Sequence, residues 1–361
     1  MSAEVITDSQ VIQNTTKVKQ KKEYKWKFIW RNIALFSAMH IGAIYGLYLI
    51  FTSAQWKTTF YAWFLHVLSI EGMTAGAHRL WSHRSYKAKL PLQIFLIICQ
   101  TLTLQKDAYE WAFLHRIHHK CVDTDADPHN SFRGFFFSHF GWLLIEPEPE
   151  LVEKCKNTQY SDLQSDKILM FQKKYYFVFF APVVGILIPT AIPYYFWNET
   201  IENSFFIATM VRFCFVGHTL FFINSVAHVF GTRPYDKNIC PTESPPLISF
   251  ITLGEGWHNY HHIFPWDYRT AEIGKYRINI TTMFLNLMAA IGWAYDLKTV
   301  SLESIAKRAS RTGDGTRILD KRTTNLVQHQ NSESDLIWGW GDKDMGDEYL
   351  NYVKITNRKY D

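Results

Sequence analysis

Four long apolar stretches constrain the fold more than any other feature of this sequence. They cover residues 33–52, 58–80, 175–197 and 204–230. A helix of about 20 mostly apolar residues is long enough to cross the hydrocarbon core of a bilayer. Backbone polar groups inside that core must be bonded within the helix, because lipid offers them no partner. The pattern predicts an all-α membrane protein with four transmembrane helices, the second of them interrupted by His66 and Glu71.

Basic residues before the first apolar stretch indicate how the protein is oriented. Lysines are frequent between Lys17 and Arg31, and the cytosolic side of membrane proteins is enriched in such residues. Four crossings then place both termini in the cytosol. We predict a basic cytosolic N-terminus at 1–31, a membrane domain at 32–300 and a polar, partly disordered cytosolic tail at 301–361. The formal net charge of +5 is modest and gives no reason to invoke nucleic acid.

Histidines recur in three short groups, all in segments that this topology places on the cytosolic side. Two groups have the spacing HxxHH and one has HxxxxH, and their members are His115, His118 and His119; His258, His261 and His262; and His78 and His83. Residues at i, i+3 and i+4 share one face of a helix. Imidazole ligands suit zinc, copper, iron or nickel, and eight histidines are too many for one ion. The pattern therefore predicts a cytosolic helical domain with a site for two metals.

For the remaining candidate ligands, the position of each residue relative to the end of its helix has to be considered. On an α-helix, His78 and His83 would point about 140° apart, so they converge only if the helix ends between them. Asn224 and His228 stand at i and i+4 near the end of the fourth stretch, where polar side chains are candidates for function. Isolated histidines, such as His129, are expected to serve packing, capping or the surface.

The three histidine groups resemble the histidine boxes of membrane fatty acyl-CoA desaturases of the stearoyl-CoA type. The flanking residues 74–77, 125–130 and 233–238 match as well, and the tail motif at 338–340 is similar to that of insect members. The resemblance implies a multi-pass enzyme of the endoplasmic reticulum membrane with two iron ions. It also implies that molecular oxygen, with electrons from cytochrome b5 and its reductase, introduces a cis double bond into a fatty acyl-CoA.

The same resemblance implies how the ligands divide between the two irons. One iron would be bound by His78, His83, His115, His119 and His261. The other would be bound by His118, His228, His258 and His262, with Asn224 reaching it through water. Substrate contacts are expected from Asn32, Trp111, Trp142, His66 and Ile70, and by resemblance the last two close the far end of an acyl tunnel.

The positions at which this family binds coenzyme A and the acyl chain differ from the usual pattern. The departures are Lys106, Phe113, Leu114, Glu146, Pro147 and Phe221. Where a glutamate replaces a cation beside a phosphate-bearing cofactor, we expect weaker binding, by order 1 kcal/mol per exposed contact. The altered contacts indicate a specialised member, such as a moth pheromone-type desaturase, or one with a different acyl carrier.

Three functions are compatible with these residues. We favour an acyl-CoA desaturase that acts at carbon 9 or 11 of a saturated chain. A hydroxylase or conjugase could use the same metal site. The third alternative is a membrane protein that binds metal without turnover, for example a regulator that has lost its substrate contacts.

Overall fold

The computed structural model describes residues 25–157, 160–272, 279–317 and 336–358, which are mostly helical. Four β-strands form two small antiparallel sheets, with β1 (Lys87–Ala88) paired to β2 (Ala294–Tyr295) and β3 (Leu297–Val300) paired to β4 (Val353–Thr356). The α-helices are α1 (Trp30–Thr52), α2 (Trp56–Glu71), α3 (Leu90–Thr101), α4 (Ala108–Lys120), α5 (Phe135–His139), α6 (Pro149–Asn157), α7 (Ser161–Ser165), α8 (Lys167–Tyr175), α9 (Ile188–Trp197), α10 (Ile201–Phe205), α11 (Arg212–Val229), α12 (Pro246–Ile251), α13 (His258–Ile263), α14 (Ile280–Ala290), α15 (Leu302–Thr312) and α16 (Asp347–Asn351).

Three long helices interrupt their α-helical geometry with wider π-helical turns. The π-helical segments are Gly72–Ser82 after α2, Tyr176–Leu187 between α8 and α9, and Phe206–Val211 between α10 and α11. Short π-helical segments are rare and are often found at functional sites. The segment Gly72–Ser82 is buried along its whole length and ends one residue before His83.

Three helical runs among the described residues are long and apolar enough to cross a membrane. They are Trp30–Thr52, Lys167–Trp197 and Ile201–Val229. The predicted second crossing, 58–80, lies within the continuous helix formed by α2 and its π-helical extension, but this helix does not reach the same apolarity. Its C-terminal half is enclosed by other helices rather than exposed to lipid, so polar side chains are tolerated there. Three of the four predicted crossings are therefore supported by length and composition.

A buried arginine supports the backbone where a proline weakens a crossing helix. Pro189 has no backbone N–H and cannot donate to the Gly185 carbonyl in the α-helical manner. The Arg212 guanidinium donates to that carbonyl over 2.6 Å and to the Ala208 carbonyl over 2.8 Å. Arg212 is almost completely buried, so its charge is solvated by backbone oxygens. Freed polar groups in a membrane helix are satisfied in this way by neighbouring helices.

The described parts of the C-terminal tail are folded against the domain. After α15, residues 336–358 return to the protein, and β4 pairs with β3 through a register that runs from Leu297↔Thr356 to Val300↔Val353. Ile337 and Met345 are buried in a cluster with Trp266, and Trp338 is buried as well. The tail was predicted to be partly disordered, and its residues 318–335 and 359–361 lie outside the described residues.

Candidate metal centre

Helix α4 carries the first histidine triplet on one face. The Asp107 carboxylate caps this helix by accepting from the Glu110 N–H over 2.9 Å, and the helix ends at Lys120. This cap satisfies one of the amide groups that a helix start leaves unpaired. His115, His118 and His119 project toward a common interior, although His118 joins a different histidine group from the other two. The i, i+3, i+4 spacing thus serves two neighbouring groups.

The π-helical turn explains how His78 and His83 meet. The His83 N–H donates to the His78 carbonyl over 3.1 Å, which is the i→i+5 bond of a π-helix. The two imidazole rings are therefore one wide turn apart, with centroids separated by 4.7 Å. The helix does end between them, at Ser82, as the spacing predicts. The α-helical angle of about 140° does not apply, because the turn that joins them holds five residues.

Nine histidines form two adjacent groups with the geometry of metal sites. Within each group, one nitrogen from every member lies within 4.8 Å of those of the others. The first group, here called the five-histidine group, contains His78, His83, His115, His119 and His261. The second, the four-histidine group, contains His118, His228, His258 and His262. The structure thus brings together all nine predicted histidines, and it divides them as the resemblance implies.

The ring nitrogens inside the groups face each other in a way that suits a bound cation. His228 Nε2 lies 3.1 Å from His258 Nε2, and His258 Nε2 lies 3.1 Å from His262 Nε2. His228 Nδ1 contacts the Asp123 carboxylate over 2.9 Å and must carry the proton there, since a carboxylate only accepts. His228 Nε2 is then a bare lone pair directed at its neighbours. A metal ion is the partner that such converging lone pairs suit.

Acidic residues around the groups orient their histidines. His118 Nδ1 contacts both oxygens of Asp127 at 2.9 Å, and His78 Nδ1 lies 3.3 Å from Glu255 Oε2. With Asp123 beside His228, three carboxylates hold three imidazoles. Carboxylates in this position fix the ring tautomer and raise the basicity of the ligating nitrogen. Sequence reasoning did not assign these roles, although the acids at 123 and 127 follow the first triplet within ten residues.

Burial favours the neutral form of several of these histidines, whereas neighbouring charges keep Glu255 ionised. It lowers the pKa of His83, His258 and His262 well below the usual value, with neighbouring imidazoles adding to the effect. Burial alone would raise the pKa of Glu255, but Arg79 and His78 outweigh it and hold this pKa at about 2. Neutral imidazoles with ionised carboxylates nearby are the state in which such groups bind a metal cation.

Two other residues lie beside the four-histidine group. Asn224 is half-buried one turn before His228 on α11 and lines the cavity described below. His129, expected to serve packing, has its ring centroid 4.3 Å from that of His118 and its Nδ1 3.5 Å from Asp127. His118, Asp127 and His129 also have the geometry of a small ligand cluster. His129 therefore belongs to the surroundings of the metal centre.

A cavity of about 480 Å³ opens directly onto both histidine groups. Histidines from both groups form part of its wall, and the predicted substrate residues Asn32, Trp111 and Trp142 line it as well. The Trp111 ring stacks on His115 with centroids 4.8 Å apart. Asn32 anchors the start of α1 to the Leu143 carbonyl over 2.8 Å. The rest of the wall, which includes Tyr176, Phe213 and Gly217, is mostly apolar.

Two of the predicted substrate residues, Ile70 and His66, lie outside the described wall of this cavity. On the second long helix, the described cavity wall includes Met73 and Thr74 but not Ile70 or His66. Ile70 is fully buried in the hydrophobic core, in the same cluster as Met73, which lies three residues further along this helix. Met73 and Thr74 line the cavity on this helix, and the role of Ile70 and His66 at the end of an acyl tunnel stays a prediction.

The six altered positions separate into two sets. Lys106, Leu114 and Phe221 line the cavity. Phe113 packs instead against Tyr160, with ring centroids 4.9 Å apart. Glu146 is exposed and forms an ion pair with Lys27 over 3.5 Å, and the neighbouring Pro147 is exposed. Phe113, Glu146 and Pro147 lie outside the described cavity wall, so only three of the six substitutions change that wall directly.

Comparison with known proteins agrees with this geometry. The family model described as fatty acid desaturase matches residues 54–275. The chain is 58% identical to an acyl-CoA Delta-12 desaturase of Tribolium castaneum, over 100% of both chains. It is 50% identical to an acyl-CoA Delta-9 desaturase of Acheta domesticus, over 98% of this chain and 93% of the relative. It is 52% identical to the stearoyl-CoA desaturase of Homo sapiens, over 83% of each chain. The two buried histidine groups beside an apolar cavity thus stand in a chain that belongs to the fatty acid desaturase family.

Proposed function

We propose that the protein is an acyl-CoA desaturase that binds one iron ion in each histidine group. One observation supports this most strongly, namely that two buried sets of imidazole ligands share the wall of one mostly apolar cavity. The donor set fits iron, because imidazole ligands with carboxylates behind them suit redox-active transition metals. When bound, the irons would supply the oxidising chemistry by which molecular oxygen removes two hydrogens from the acyl chain.

The residues of this chain hold the substrate and exclude water. The apolar wall around Phe213 and Gly217 accommodates an acyl chain and keeps solvent away from the reacting carbons. Trp111, stacked on His115, places a rigid aromatic surface on the cavity wall beside the five-histidine group. Asn32 and Lys106 lie on the cavity wall as polar groups that suit the thioester and the coenzyme. Positioning the acyl chain beside the metal centre accounts for most of what the protein itself contributes to catalysis.

We also propose that the protein lies in the endoplasmic reticulum membrane. Helix 56–82 forms a fourth crossing of that membrane, and both termini are in the cytosol. The basic N-terminus and the clustering of histidine groups after the second and fourth crossings support this orientation. Electrons would come from cytochrome b5 and its reductase, because the catalytic cycle needs two electrons from outside.

The position of the double bond is a separate question. The relatives include Delta-9, Delta-11 and Delta-12 enzymes, so carbon 12 joins carbons 9 and 11 as a candidate. Expression in desaturase-deficient yeast, fed with saturated or monounsaturated fatty acids, tests activity and position together. Mass spectrometry of the lipids should reveal one new cis double bond. Hydroxylated or conjugated chains would favour the second alternative, and unchanged lipids with full expression would favour a protein without turnover.

The cation on the cavity wall should contribute to coenzyme A binding. Lys106 is paired with Glu110, and both line the cavity. We expect Lys106→Gln to raise the KM for acyl-CoA up to about five-fold with little change in kcat, because an exposed ion pair contributes at most about 1 kcal/mol. Lys57→Gln, on an exposed lysine at the start of α2, is the matched control. Identical KM values for both variants and the wild type would contradict this role.

The depth of the cavity should set the preferred chain length. Gly217 lines the cavity, and a Cβ added there would lie no closer than 3.4 Å to a neighbouring atom, the Cε2 of Phe221. Gly217→Leu therefore fills the cavity without a backbone clash, and we expect the enzyme to prefer shorter chains. Phe215→Leu changes an exposed residue on the same helix and serves as the control. Products from a mixed pool of acyl-CoAs decide, and an unchanged length profile for Gly217→Leu would refute the assignment.

A further inference from the structure

The C-terminal tail contributes an unexpected contact to the metal centre. His83 is fully buried in the five-histidine group, and its Nδ1 meets the backbone carbonyl of Trp338, 255 residues later in the chain. We propose that residues 336–345, here called the tail clamp, form a positioning element that orients His83 toward its metal. This inference rests on the proposed function, because it assumes that the five-histidine group binds iron.

The chemistry of the contact determines the tautomer of His83. A backbone carbonyl can only accept a hydrogen bond, so His83 Nδ1 must carry the proton. His83 Nε2 is then a lone pair, and it lies 2.9 Å from His115 Nε2 inside the group. Hydrogen bonds of this kind hold the orientation and tautomer of a metal-binding imidazole. In the same group His78 is oriented by Glu255, whereas the Nδ1 atoms of His119 and His261 find no hydrogen-bond partner among the described residues.

The tail clamp is tied to the segment that carries His83. The Trp340 N–H donates to the His83 carbonyl over 2.9 Å, so the clamp contacts both the backbone and the ring of this histidine. The Arg116 guanidinium lies 4.1 Å from the centre of the Trp338 ring and donates to the carbonyls of Trp81 and Ser82. Cation–π contacts of buried arginines are among the stronger ones. Arg116 thus joins the clamp to both α4 and the segment before His83.

A second anchor comes from Asp342. Its carboxylate accepts from the Trp338 N–H over 2.8 Å and pairs with Lys120 at 2.6 Å. Lys120 directly follows His119, so this anchor attaches the clamp to the end of the first histidine triplet. These contacts are buried or half-buried, which makes them more specific than surface ion pairs. The family match ends at residue 275, so the clamp lies outside the region that the family model describes.

A substitution at Gly339 tests the role of the tail clamp by adding a single methyl group. A Cβ at this residue would lie 2.5 Å from the His83 carbonyl oxygen and 2.7 Å from its Cα, and the φ angle of 152° disfavours other residues. Gly339→Ala should therefore push the clamp away from His83. Gly346→Ala is the matched control, because a Cβ there meets nothing within 4 Å and its φ of −68° suits alanine.

The readout is iron retention by the purified full-length protein against a soluble chelator. We expect Gly339→Ala to bind one of its two irons about 10- to 100-fold more weakly, as for other residues that orient a ligand. Trp338→Phe keeps the carbonyl and a ring for Arg116 and should retain iron like the wild type. Trp338→Ala keeps only the carbonyl and should lose iron more readily. This pair decides the question if Gly339→Ala cannot be purified.

The outcomes separate this inference from the proposed function. Wild-type protein without two irons would refute the proposed function itself. Two irons in the wild type, with equal chelator resistance in Gly339→Ala and Gly346→Ala, would overturn the role of the clamp. If Gly339→Ala cannot be purified, equal resistance in Trp338→Ala and Trp338→Phe would overturn that role instead. Selective loss of one iron in Gly339→Ala, or in Trp338→Ala where the glycine variant cannot be purified, supports the clamp.

Discussion

Replacing His262 by alanine should abolish desaturation and empty the four-histidine group of its metal. His262 Nε2 lies 3.1 Å from His258 Nε2, and its ring stacks on His119 with centroids 4.1 Å apart. It therefore stands where the two groups meet. Loss of a residue that merely orients a ligand costs 10- to 100-fold in affinity or activity, so loss of the ligand should cost at least about 100-fold.

Iron content and turnover of the purified variant are the measurements for this prediction. His118→Ala should give the same result, since His118 belongs to the same group. His329→Ala, at a histidine outside the described residues and outside the family match, is the control and should retain both irons and full activity. A folded His262→Ala protein that still holds two irons and turns over normally would show that this histidine is no ligand.

Neutralising Glu255 should destabilise the protein more than any surface substitution. Glu255 Oε1 pairs with Arg79 Nη2 at 2.7 Å, and both side chains are almost completely buried. Arg79 also donates to the Tyr268 carbonyl and the Thr282 hydroxyl. Glu255→Gln leaves the arginine charge without its counter-charge inside the protein. Breaking a buried pair from one side costs about 3–5 kcal/mol.

Thermal unfolding of the purified variant measures this effect, with Glu153→Gln on the exposed face of α6 as the control. Equal unfolding temperatures for Glu255→Gln and the control would contradict the role of the Glu255–Arg79 pair.

The Glu255–Arg79 pair also predicts that stability depends on pH. The pKa of Glu255 lies at about 2, below its ordinary value of 4.5, so its contribution to folding is present above pH 4.5 and is lost as the pH falls toward 2.

The two histidine triplets could be predicted to share one helix face each because their spacing is local. His115, His118 and His119 occupy one face of α4 by the geometry of the helix alone, and the same holds for the triplet of α13. The i, i+4 relation of Asn224 to His228 is similarly local. What the α-helical rule misses is the wide turn between His78 and His83. Whether a stretch such as Gly72–Ser82 adopts π-helical turns depends on the helices that enclose it.

The long-range parts of the site could not be predicted from spacing. The contact of Trp338 with His83 joins residues 255 positions apart, and only the folded chain brings them together. Phe113 and Leu114 are neighbours in sequence, yet one packs in the core and the other lines the cavity. Ile70 was placed at the tunnel end by resemblance and is buried in the core, whereas Met73 on the same helix lines the cavity. Burial in the core and exposure to a cavity look alike in an apolar pattern.

Composition likewise identifies some crossings better than others. Helix α1 and the run Ile201–Val229 are apolar enough to be recognised without a structure. The helix at 56–82 falls short of that apolarity, because its C-terminal half is enclosed by other helices and carries polar residues such as Glu71, His78 and Arg79. A helix that is buried by protein has less need of an apolar surface than one that faces lipid.

The metal content of the purified, active protein tests the central claim most directly. Elemental mass spectrometry on the full-length chain should find two irons per polypeptide, one for each histidine group. Loss of turnover should accompany removal of iron by a chelator, and added ferrous iron should restore it. A single metal per chain, or full activity of a protein that contains zinc in place of iron, would contradict the account.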